Sequence, residues 1–308
     1  MVAAYIGWLA ERGTIAASSL QPYLSAINAM HADLGMPKPA LGHLIQRARA
    51  GMRRGQALVQ TRDVRIPLPP EVMLRLLTDT ARRASNASAE WLRGRYALLL
   101  AYLFMGRQDS CVSLLRLDHG ITDEFLWLRL TEKMKRGWAF RRVVRVPRRS
   151  APACGHASVV DTVAAIGELF VAARDTLARA VRASGTHFFQ LPGERPPRSS
   201  DMSSWLASAL REIGTLAPPG FAYLGHSLRS GASSAAEAIR VSRYKGNWLG
   251  GWSQTGRTRE LHYIDPSFQP TPASYAFFGW LLEGRYQALP PEWQPRRGAV
   301  DDDEPGEP

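Results

Sequence analysis

A histidine and an arginine three positions apart stand in the segment of the sequence that is densest in chemically useful side chains. They are His226 and Arg229, in GHSLRSGASS. If a helix begins near Ser227, this spacing lets the imidazole and the guanidinium converge on one anion beside the positive end of the helix. Taken alone, the pair is more often a capping histidine and a surface arginine.

Two aromatic residues further along the chain indicate a reaction in which the pair could take part. Trp252 follows Gly250-Gly251, 23 residues after Arg229, and Tyr263 follows another 11 residues later in a polar, helix-prone stretch. A tyrosine phenol is a nucleophile, although a weak one near neutral pH because its unperturbed pKa is about 10. It therefore needs a neighbouring base and a positive field.

Lysine is scarce in this chain. Only four of the 39 lysines and arginines are lysine, and two of these, Lys133 and Lys135, stand in one short segment, EKMKRGWAF. An ammonium group can lose its proton, whereas a guanidinium effectively cannot. A lysine that stands where arginine is the default cation is therefore a candidate general acid.

In the order of these residues the chain resembles the tyrosine recombinases, the phage-integrase-like enzymes that break and rejoin DNA through a tyrosine. Their pattern is Arg, Lys, His-x-x-Arg, His or Trp, and Tyr, and the resemblance covers residues 65–288 most clearly. Arg107 fits the first position because it follows an apolar helix pattern and is followed eleven residues later by Asp118. The matched residues are Arg107, Lys133, His226, Arg229, Trp252 and Tyr263.

The chain departs from the family pattern at two points. The family has an acid three residues after its first arginine, where this chain has Ser110, with Asp109 one position earlier. The interval from Trp252 to Tyr263 is about two residues longer than is usual in the family. Lys135 remains an alternative to Lys133, because the register of a hairpin cannot be fixed from sequence.

The resemblance implies a mechanism without metal or cofactor. Two arginines, Arg107 and Arg229, would hold the non-bridging oxygens of a phosphodiester, and His226 would assist Tyr263 as a base. A lysine on the hairpin would deliver the proton to the departing 5′-hydroxyl. For Trp252 two roles stay open, packing against the tyrosine segment and donating its indole N–H to the phosphate.

The elements that position these residues are predicted to be mainly helical with one small β-sheet. Residues 18–34 and 40–55 read as helices, the second with Leu41, Leu44, Ile45, Ala48 and Met52 on one side and arginines elsewhere. The segments 124–131 and 141–147 read as the strands of a hairpin with the two lysines near its tip. Helices are expected again over 159–183 and 201–214, with Ser200 or Asp201 as the cap of the second.

The Pro-rich stretch 61–70 predicts a domain boundary. Residues 1–64 would form a helical core-binding domain whose beginning is expected to be missing, residues 65–288 an α+β catalytic domain, and residues 289–308 an acidic, disordered tail. By the resemblance, the two domains would form a C-shaped clamp on double-stranded DNA. The expected DNA contacts are Arg47, Arg49, Arg53, Arg54, Lys135 and Arg136.

Composition agrees with a nucleic-acid partner. The formal net charge is +12 and the pI about 10.3, a balance that favours a polyanion. No apolar run approaches the roughly 20 residues that a bilayer requires. The two cysteines, Cys111 and Cys154, are too few for a disulfide scaffold and show no zinc-ligand spacing. A membrane protein and a small-molecule enzyme are not indicated.

Assembly and rival functions follow from the same resemblance. The family acts as a tetramer on DNA, and the apolar segment 272–285 either packs in its own core or docks onto a neighbouring protomer. A mobile-element integrase is the expected role, in the bacterial cytoplasm around the nucleoid or in a eukaryotic nucleus. The alternatives are a catalytically silent DNA-binding protein, a type IB topoisomerase-like relaxase, and, more remotely, a basic RNA-binding or structural protein.

Overall fold

A computed structural model describes residues 1–13, 15, 17–59, 64–133, 139–148, 159–183 and 185–282. The chain divides into two compact units, one spanning Met1–Val64 and the other beginning at Arg65. The linker residues 61–63, the hairpin residues Lys135 and Arg136, and the tail 289–308 lie outside the described residues.

The first unit is helical. It contains α1 (Val2–Arg12), α2 (Leu20–Asp33) and α3 (His43–Val59), and Gly35, at φ +68°, follows the end of α2. Its small core contains Ile6, Leu20, Leu24, Ile45 and Met52. The helix expected over 40–55 is present as α3. Its buried side differs slightly from the predicted one, since Leu44, which was expected on the apolar side, is 70% exposed.

The strand β1 (Val64–Arg65) lies at the boundary, and the second unit continues with α4 (Pro70–Arg83), α5 (Ala89–Leu103) and α6 (Gln108–Val112). Pro70 occupies the first turn of α4, where its missing N–H costs no intrahelical bond. Twelve of the fifteen residues of α5 are buried, as its nearly continuous apolar sequence predicts. This helix is the centre of the unit.

A three-stranded antiparallel sheet packs on this helical core. Its strands are β2 (His119–Ile121), β3 (Phe125–Lys133) and β4 (Ala139–Pro147), in that order. The expected hairpin is confirmed, and its register pairs Phe125 with Pro147 and Lys133 with Ala139. The alternation of buried Leu126, Leu128 and Leu130 along β3 fixes this register, since a slip of one residue would expose all three.

The remaining elements are mostly helical. They are α7 (Val159–Val181), α8 (Ser199–Glu212), β5 (Phe221–Ala222), α9 (Gly225–Ala238), α10 (Arg243–Gly250), α11 (Thr258–His262) and α12 (Pro272–Phe278). The expected cap of α8 was misplaced. Arg198 is the residue before the helix, and the Asp201 carboxylate accepts a hydrogen bond from its backbone N–H at 2.8 Å.

The apolar segment near the C-terminus packs inside its own unit. Phe277, Phe278 and Leu281 are at most 2% exposed, and the two phenylalanines contact the ring of Tyr102 in α5. Of the two roles left open for 272–285, the described part therefore serves the intramolecular core. Within the described part of the chain, none of the helices combines the length and the apolar character needed to cross a membrane.

Candidate active site

The first turn of α9 lies against the start of α6. A β-carbon added at Gly225 would lie 1.3 Å from the side-chain nitrogen of Gln108, so the amide of Gln108 packs directly against the backbone of this glycine. The contact places His226 and Arg229, in the first turns of α9, beside the turn that carries Arg107. The helix predicted to begin near Ser227 is thus confirmed, with its first residue at Gly225.

The turn between α5 and α6 holds Arg107 in place. Met105 has a left-handed backbone conformation, φ +47°, which is strained for a residue with a side chain. Gly106 follows with no room for a β-carbon, which would lie 2.3 Å from the Cys111 sulfur. Arg107 then precedes the first residue of α6 and is half-buried.

Arg229 is the centre of the site. Its side chain is 1% exposed, and its two terminal nitrogens donate hydrogen bonds to the carbonyls of Met105, at 2.5 Å, and Gly250, at 2.7 Å. These bonds tie α9 both to the Arg107 turn and to the end of α10. The Arg229 side chain is thus held in one orientation before any ligand binds.

The sequence Gly-Gly-Trp after α10 places an indole ring on this guanidinium. The Arg229 guanidinium carbon lies 3.8 Å from the centroid of the Trp252 ring, a close cation–π contact. A β-carbon at Gly250 would lie 1.8 Å from the indole, and Gly251 ends α10 with φ +67°. Both glycines are therefore required by the position of Trp252.

Tyr263 completes the cluster. Its ring centroid lies 5.2 Å from that of Trp252 and 5.2 Å from the Arg229 guanidinium carbon. The residue follows α11, where its backbone N–H donates to the carbonyl of Arg259 at 2.9 Å, and Ser234 of α9 donates to its carbonyl at 3.3 Å. The packing role considered for Trp252 is present, and its buried Nε1 has no hydrogen-bond partner among the described residues.

His226 is exposed and stands in a positive field. Partial burial lowers the pKa of its imidazole, and the nearby charges of Arg65, Arg229 and Arg107 lower it further, while Asp109 opposes them. The imidazole is therefore mainly neutral at pH 7. A neutral imidazole can accept a proton, which is what the predicted base requires.

Of the six residues predicted to be catalytic, the structure brings Arg229, Trp252 and Tyr263 into one cluster. Arg107 precedes α6 and His226 lies in the first turn of α9, near enough for the charge of Arg107 to lower the pKa of the His226 imidazole. For the sixth, Lys133, only the backbone is described, as the last paired residue of β3 opposite Ala139. It stands next to the undescribed tip that contains Lys135, so the choice between the two lysines stays open.

The arginines predicted to bind DNA from the first unit lie on α3. Arg49, Arg53 and Arg54 line a shallow groove of about 430 Å³ together with Gln46, and Arg47, Arg53 and Arg54 are exposed. A cluster of cations along one helix is the feature that phosphate binding requires.

The surroundings of the site include Asp109, noted in the sequence beside Ser110, and three residues that the sequence analysis did not single out. Arg65 and Asp109 set the field at His226, and Arg259 underlies the tyrosine segment. Arg142 of β4 donates to the carbonyls of Trp248 and Leu249, at 2.8 Å each, and so joins the hairpin to α10. Only the unusual charge of the 61–70 linker could have indicated one of them, Arg65.

Metal binding has no candidate among the described residues, where no group of three or more His, Cys, Asp or Glu side chains is placed to hold an ion. The half-buried His119 instead stacks on Phe188, with 4.2 Å between the ring centroids, and its Nε2 lies 2.6 Å from the hydroxyl of Tyr96. It has a structural role.

Solved structures share this fold. A post-cleavage complex of the XerH site-specific recombinase with palindromic difH substrate is 10% identical to the chain, with a TM-score of 0.50, over 82% of this chain and 70% of that one. The expected fold class, mainly α with a small β-sheet, is confirmed, and the resemblance noted in the sequence holds at the level of the fold.

Two other similar structures are integrases. A lambda integrase dimer bound to a COC′ core site is 19% identical with a TM-score of 0.42, over 82% of this chain and 65% of that one. An integrase from mycobacterium phage Brujita is 17% identical with a TM-score of 0.37, over 89% of this chain and 82% of that one. The chain thus spans just under two thirds of the lambda integrase chain. No protein-family model and no curated protein sequence matches it.

Proposed function

We propose that this chain is a tyrosine recombinase, a site-specific DNA strand transferase that cleaves and rejoins DNA through a 3′-phosphotyrosyl intermediate. The observation that carries the proposal is the contact of three side chains in one cluster, with the Arg229 guanidinium 3.8 Å from the ring of Trp252 and 5.2 Å from that of Tyr263. The fold shared with XerH, a site-specific recombinase whose structure holds its difH substrate after cleavage, supports it.

The proposed reaction exchanges one phosphodiester for another. The Tyr263 oxygen attacks the scissile phosphorus and forms the 3′-phosphotyrosyl bond, while the bond from phosphorus to the 5′-oxygen breaks. His226 takes the phenolic proton, and Lys133 or Lys135 gives a proton to the departing 5′-oxygen. Because the number of phosphoester bonds does not change, rejoining is the reverse reaction with another 5′-hydroxyl and needs no external energy source.

Arg229 and Arg107 would stabilise the charge that develops on the non-bridging oxygens. Preorganised donors are effective in this role because they need not rearrange as the charge appears. Arg229 fits the description, since two backbone carbonyls and the indole of Trp252 already fix it. The buried Nε1 of Trp252, which lacks a partner among the described residues, is a further donor for the phosphate.

Two partners belong to the proposal. Double-stranded DNA is the substrate, held in part by Arg47, Arg49, Arg53 and Arg54 of α3, with Lys135 and Arg136 at the hairpin tip. A second copy of the chain is required for strand exchange between two duplexes, as a tetramer on DNA by the family resemblance. Integration or excision of a mobile element is the corresponding biological role.

Two rivals differ from this proposal in measurable ways. A catalytically silent DNA-binding protein would bind DNA without covalent chemistry, and a type IB topoisomerase-like relaxase would relax supercoils as a monomer without exchanging partners. The presence of all six expected residue types in the sequence, together with the contacts among Arg229, Trp252 and Tyr263, disfavours the silent protein. Supercoil relaxation at limiting protein concentration separates the relaxase from the recombinase.

The proposal is tested by trapping the covalent intermediate. Nicked duplexes of partly randomised sequence let the short 5′ strand diffuse away after cleavage, so that the adduct accumulates. After denaturation in detergent, wild-type protein is expected to show a protein–DNA band that Tyr263→Phe lacks, and the trapped DNA can be sequenced. Tight DNA binding without any adduct across pH and salt would favour the silent protein.

A further inference from the structure

A second fully buried arginine lies four residues before the tyrosine. The side chain of Arg259 in α11 is 0% exposed, although no DNA-facing role was predicted for it. Its Nε donates to the hydroxyl of Ser233 at 3.1 Å, and its Nη2 lies 3.3 Å from the Ser233 carbonyl and 3.0 Å from the Glu237 carboxylate. Both partners are on α9.

The close packing around Arg259 extends to α10. A β-carbon at Gly246 would lie 2.8 Å from the guanidinium carbon of Arg259, so this helix approaches the arginine through a glycine. On the surface of the same contact, Arg243 of α10 forms an ion pair with Glu260 at 2.9 Å. The short helix α11 is thus fixed to two neighbours by charged groups.

The backbone of Arg259 also contacts the backbone of the proposed nucleophile, Tyr263. Its carbonyl accepts the hydrogen bond from the Tyr263 N–H at 2.9 Å. The next turn of α9 holds the other side of the segment, because the Ser234 hydroxyl donates to the Tyr263 carbonyl at 3.3 Å and accepts from the Asp265 N–H at 2.8 Å.

We propose that Arg259 is a positioning residue, which sets the distance of Tyr263 from Arg229 by fastening α11 to the helix that carries Arg229. Arg229 occupies the first turns of α9, and Ser233, Ser234 and Glu237 the following ones. One helix therefore fixes both the phosphate-binding arginine and the tyrosine segment. This inference rests on the proposed recombinase function.

Arginine suits this position for a geometric reason. A planar guanidinium with several donors can bind a hydroxyl, a carbonyl and a carboxylate at once, whereas an ammonium on a flexible side chain has fewer donors and does not fix their geometry. Arg259→Lys keeps the charge and the ion pair with Glu237 but loses the fork that holds Ser233. An error of about 1 Å in the position of a reacting group can cost a reaction about a hundredfold in rate.

The experiment compares Arg259→Lys and the milder Glu237→Gln with a matched control, Arg174→Lys. Arg174 is also a buried arginine, bound to the carbonyl of Phe188 and to the carboxylate of Asp175, and within the described part of the chain its hydrogen bonds reach none of the catalytic residues. Cleavage of a nicked duplex that the wild-type protein has been shown to cleave is measured at saturating DNA, alongside the Kd for that DNA and the Tm.

We expect Arg259→Lys to lower the cleavage rate at saturating DNA by about 10- to 100-fold and Glu237→Gln by a smaller factor, with the Kd for DNA within about twofold of wild type. Arg174→Lys is expected to lower Tm with an unchanged cleavage rate. Equal rates for Arg259→Lys and wild type would overturn the inference and leave the proposed function standing.

A second substrate separates nucleophile positioning from proton donation. When sulfur replaces the bridging 5′-oxygen, the leaving thiolate needs no general acid, because a thiol has a far lower pKa than an alcohol. This substrate should restore cleavage by a variant that lacks the general acid but leave the defect of Arg259→Lys in place. Restoration of Arg259→Lys to the wild-type rate would contradict a positioning role.

Hydrogen exchange tests the inference even if the wild-type protein forms no adduct, a result that would refute the proposed function alone. The amides of Tyr263 and Asp265, which are bonded to Arg259 and Ser234, should exchange at least tenfold faster in Arg259→Lys, while those of α5 keep their protection. Unchanged exchange at both amides would overturn the inference independently of activity.

Discussion

The guanidinium of Arg229 lies over the indole of Trp252, with 3.8 Å between the guanidinium carbon and the ring centroid. A buried cation–π contact of this kind stabilises by about 2 kcal/mol or more. Its larger effect here is to orient the Arg229 guanidinium, because the indole ring and two backbone carbonyls together allow this group only one orientation. The guanidinium that we propose to bind the phosphate is therefore held in one orientation before any ligand binds.

Gly250→Ala should displace the indole and abolish the cleavage step. The new β-carbon would lie 1.8 Å from the Trp252 ring, too close for any real contact, so the ring must leave the face of Arg229. We expect at least a hundredfold slower adduct formation at saturating DNA, with DNA affinity changed less than about threefold. Adduct formation on nicked duplexes measures this directly.

The control for this prediction is Gly279→Ala. There an added β-carbon meets only Tyr275, at an ordinary 4.0 Å, and the backbone is right-handed helical. Adduct formation by this variant should match the wild type. A Gly250→Ala protein that forms adduct at the wild-type rate would show that the position of Trp252 does not matter.

The pKa of His226 should respond in opposite directions to two neighbouring substitutions. Arg65→Gln removes a positive charge that lowers the pKa of the imidazole, so that pKa should rise, whereas Asp109→Asn removes an opposing negative charge and should lower it. Titration of the imidazole by NMR measures both shifts without any substrate.

The same substitutions should move the pH profile of cleavage. Cleavage that needs neutral His226 declines as pH falls through the pKa of its imidazole, which in the wild type lies below the ordinary 6.5. The acidic limb of the profile should therefore move to higher pH in Arg65→Gln and to lower pH in Asp109→Asn. Shifts of the same sign in both variants would show that the field of these charges does not control the base.

The sequence sufficed to predict those parts of the fold whose periodicity is strong. The buried run of α5, the pairing of β3 with β4 and the start of α9 were all predicted, because each has an apolar pattern or a spacing that one type of element satisfies. The strand β2, only three residues long, was missed, since a pattern of that length has no period to detect.

The candidate site was predicted as a set of residue types and not as a geometry. The order of Arg107, His226, Arg229, Trp252 and Tyr263 is visible in the sequence. The carbonyls that orient Arg229 belong to Met105 and Gly250, and nothing in the side chains of these two residues indicates that role. Arg65 and Arg259 escaped for the same reason: their importance comes from tertiary neighbours 161 and 26 residues away in the chain, His226 and Ser233.

Folding stability should fall in mild acid because of His119. Burial lowers the pKa of this imidazole to about 3, whereas the unfolded chain has the ordinary value of 6.5. The unfolded state therefore binds a proton between these values and the native state does not. Stability from this group is complete above pH 6.5 and is lost as pH falls, by up to about 1.4 kcal/mol for each pH unit.

His119→Gln removes the titrating group and keeps a polar side chain for the Tyr96 hydroxyl, which lies 2.6 Å from the imidazole. Urea unfolding at pH 7.5, 6.0 and 5.0 should show the variant less stable than wild type at pH 7.5 but with a smaller loss toward pH 5.0. Equal losses of unfolding free energy toward pH 5.0 in the two proteins would show that groups other than His119 cause the acid sensitivity.

Binding to DNA should lose part of its salt dependence when arginines of α3 are removed. Each phosphate contact contributes about 0.9 to the slope of log K against log salt concentration, so Arg49→Ala with Arg53→Ala should reduce the slope by roughly 2. Arg195→Ala is the control, since that exposed arginine is already paired with Asp201 at 2.8 Å. If Arg195→Ala reduced the slope as much as the α3 double variant, the loss would not be specific to α3 and the helix would not be assigned to the DNA interface.

Locating the covalent bond shows whether Tyr263 is the nucleophile. Protein trapped on a nicked duplex is digested with nuclease and protease, and tandem mass spectrometry identifies the tyrosine that carries the nucleotide. We predict a 3′-nucleotide on Tyr263 in the wild type and no adduct in Tyr263→Phe. An adduct on another tyrosine, such as the exposed Tyr244, or one that persists in Tyr263→Phe, would contradict the account.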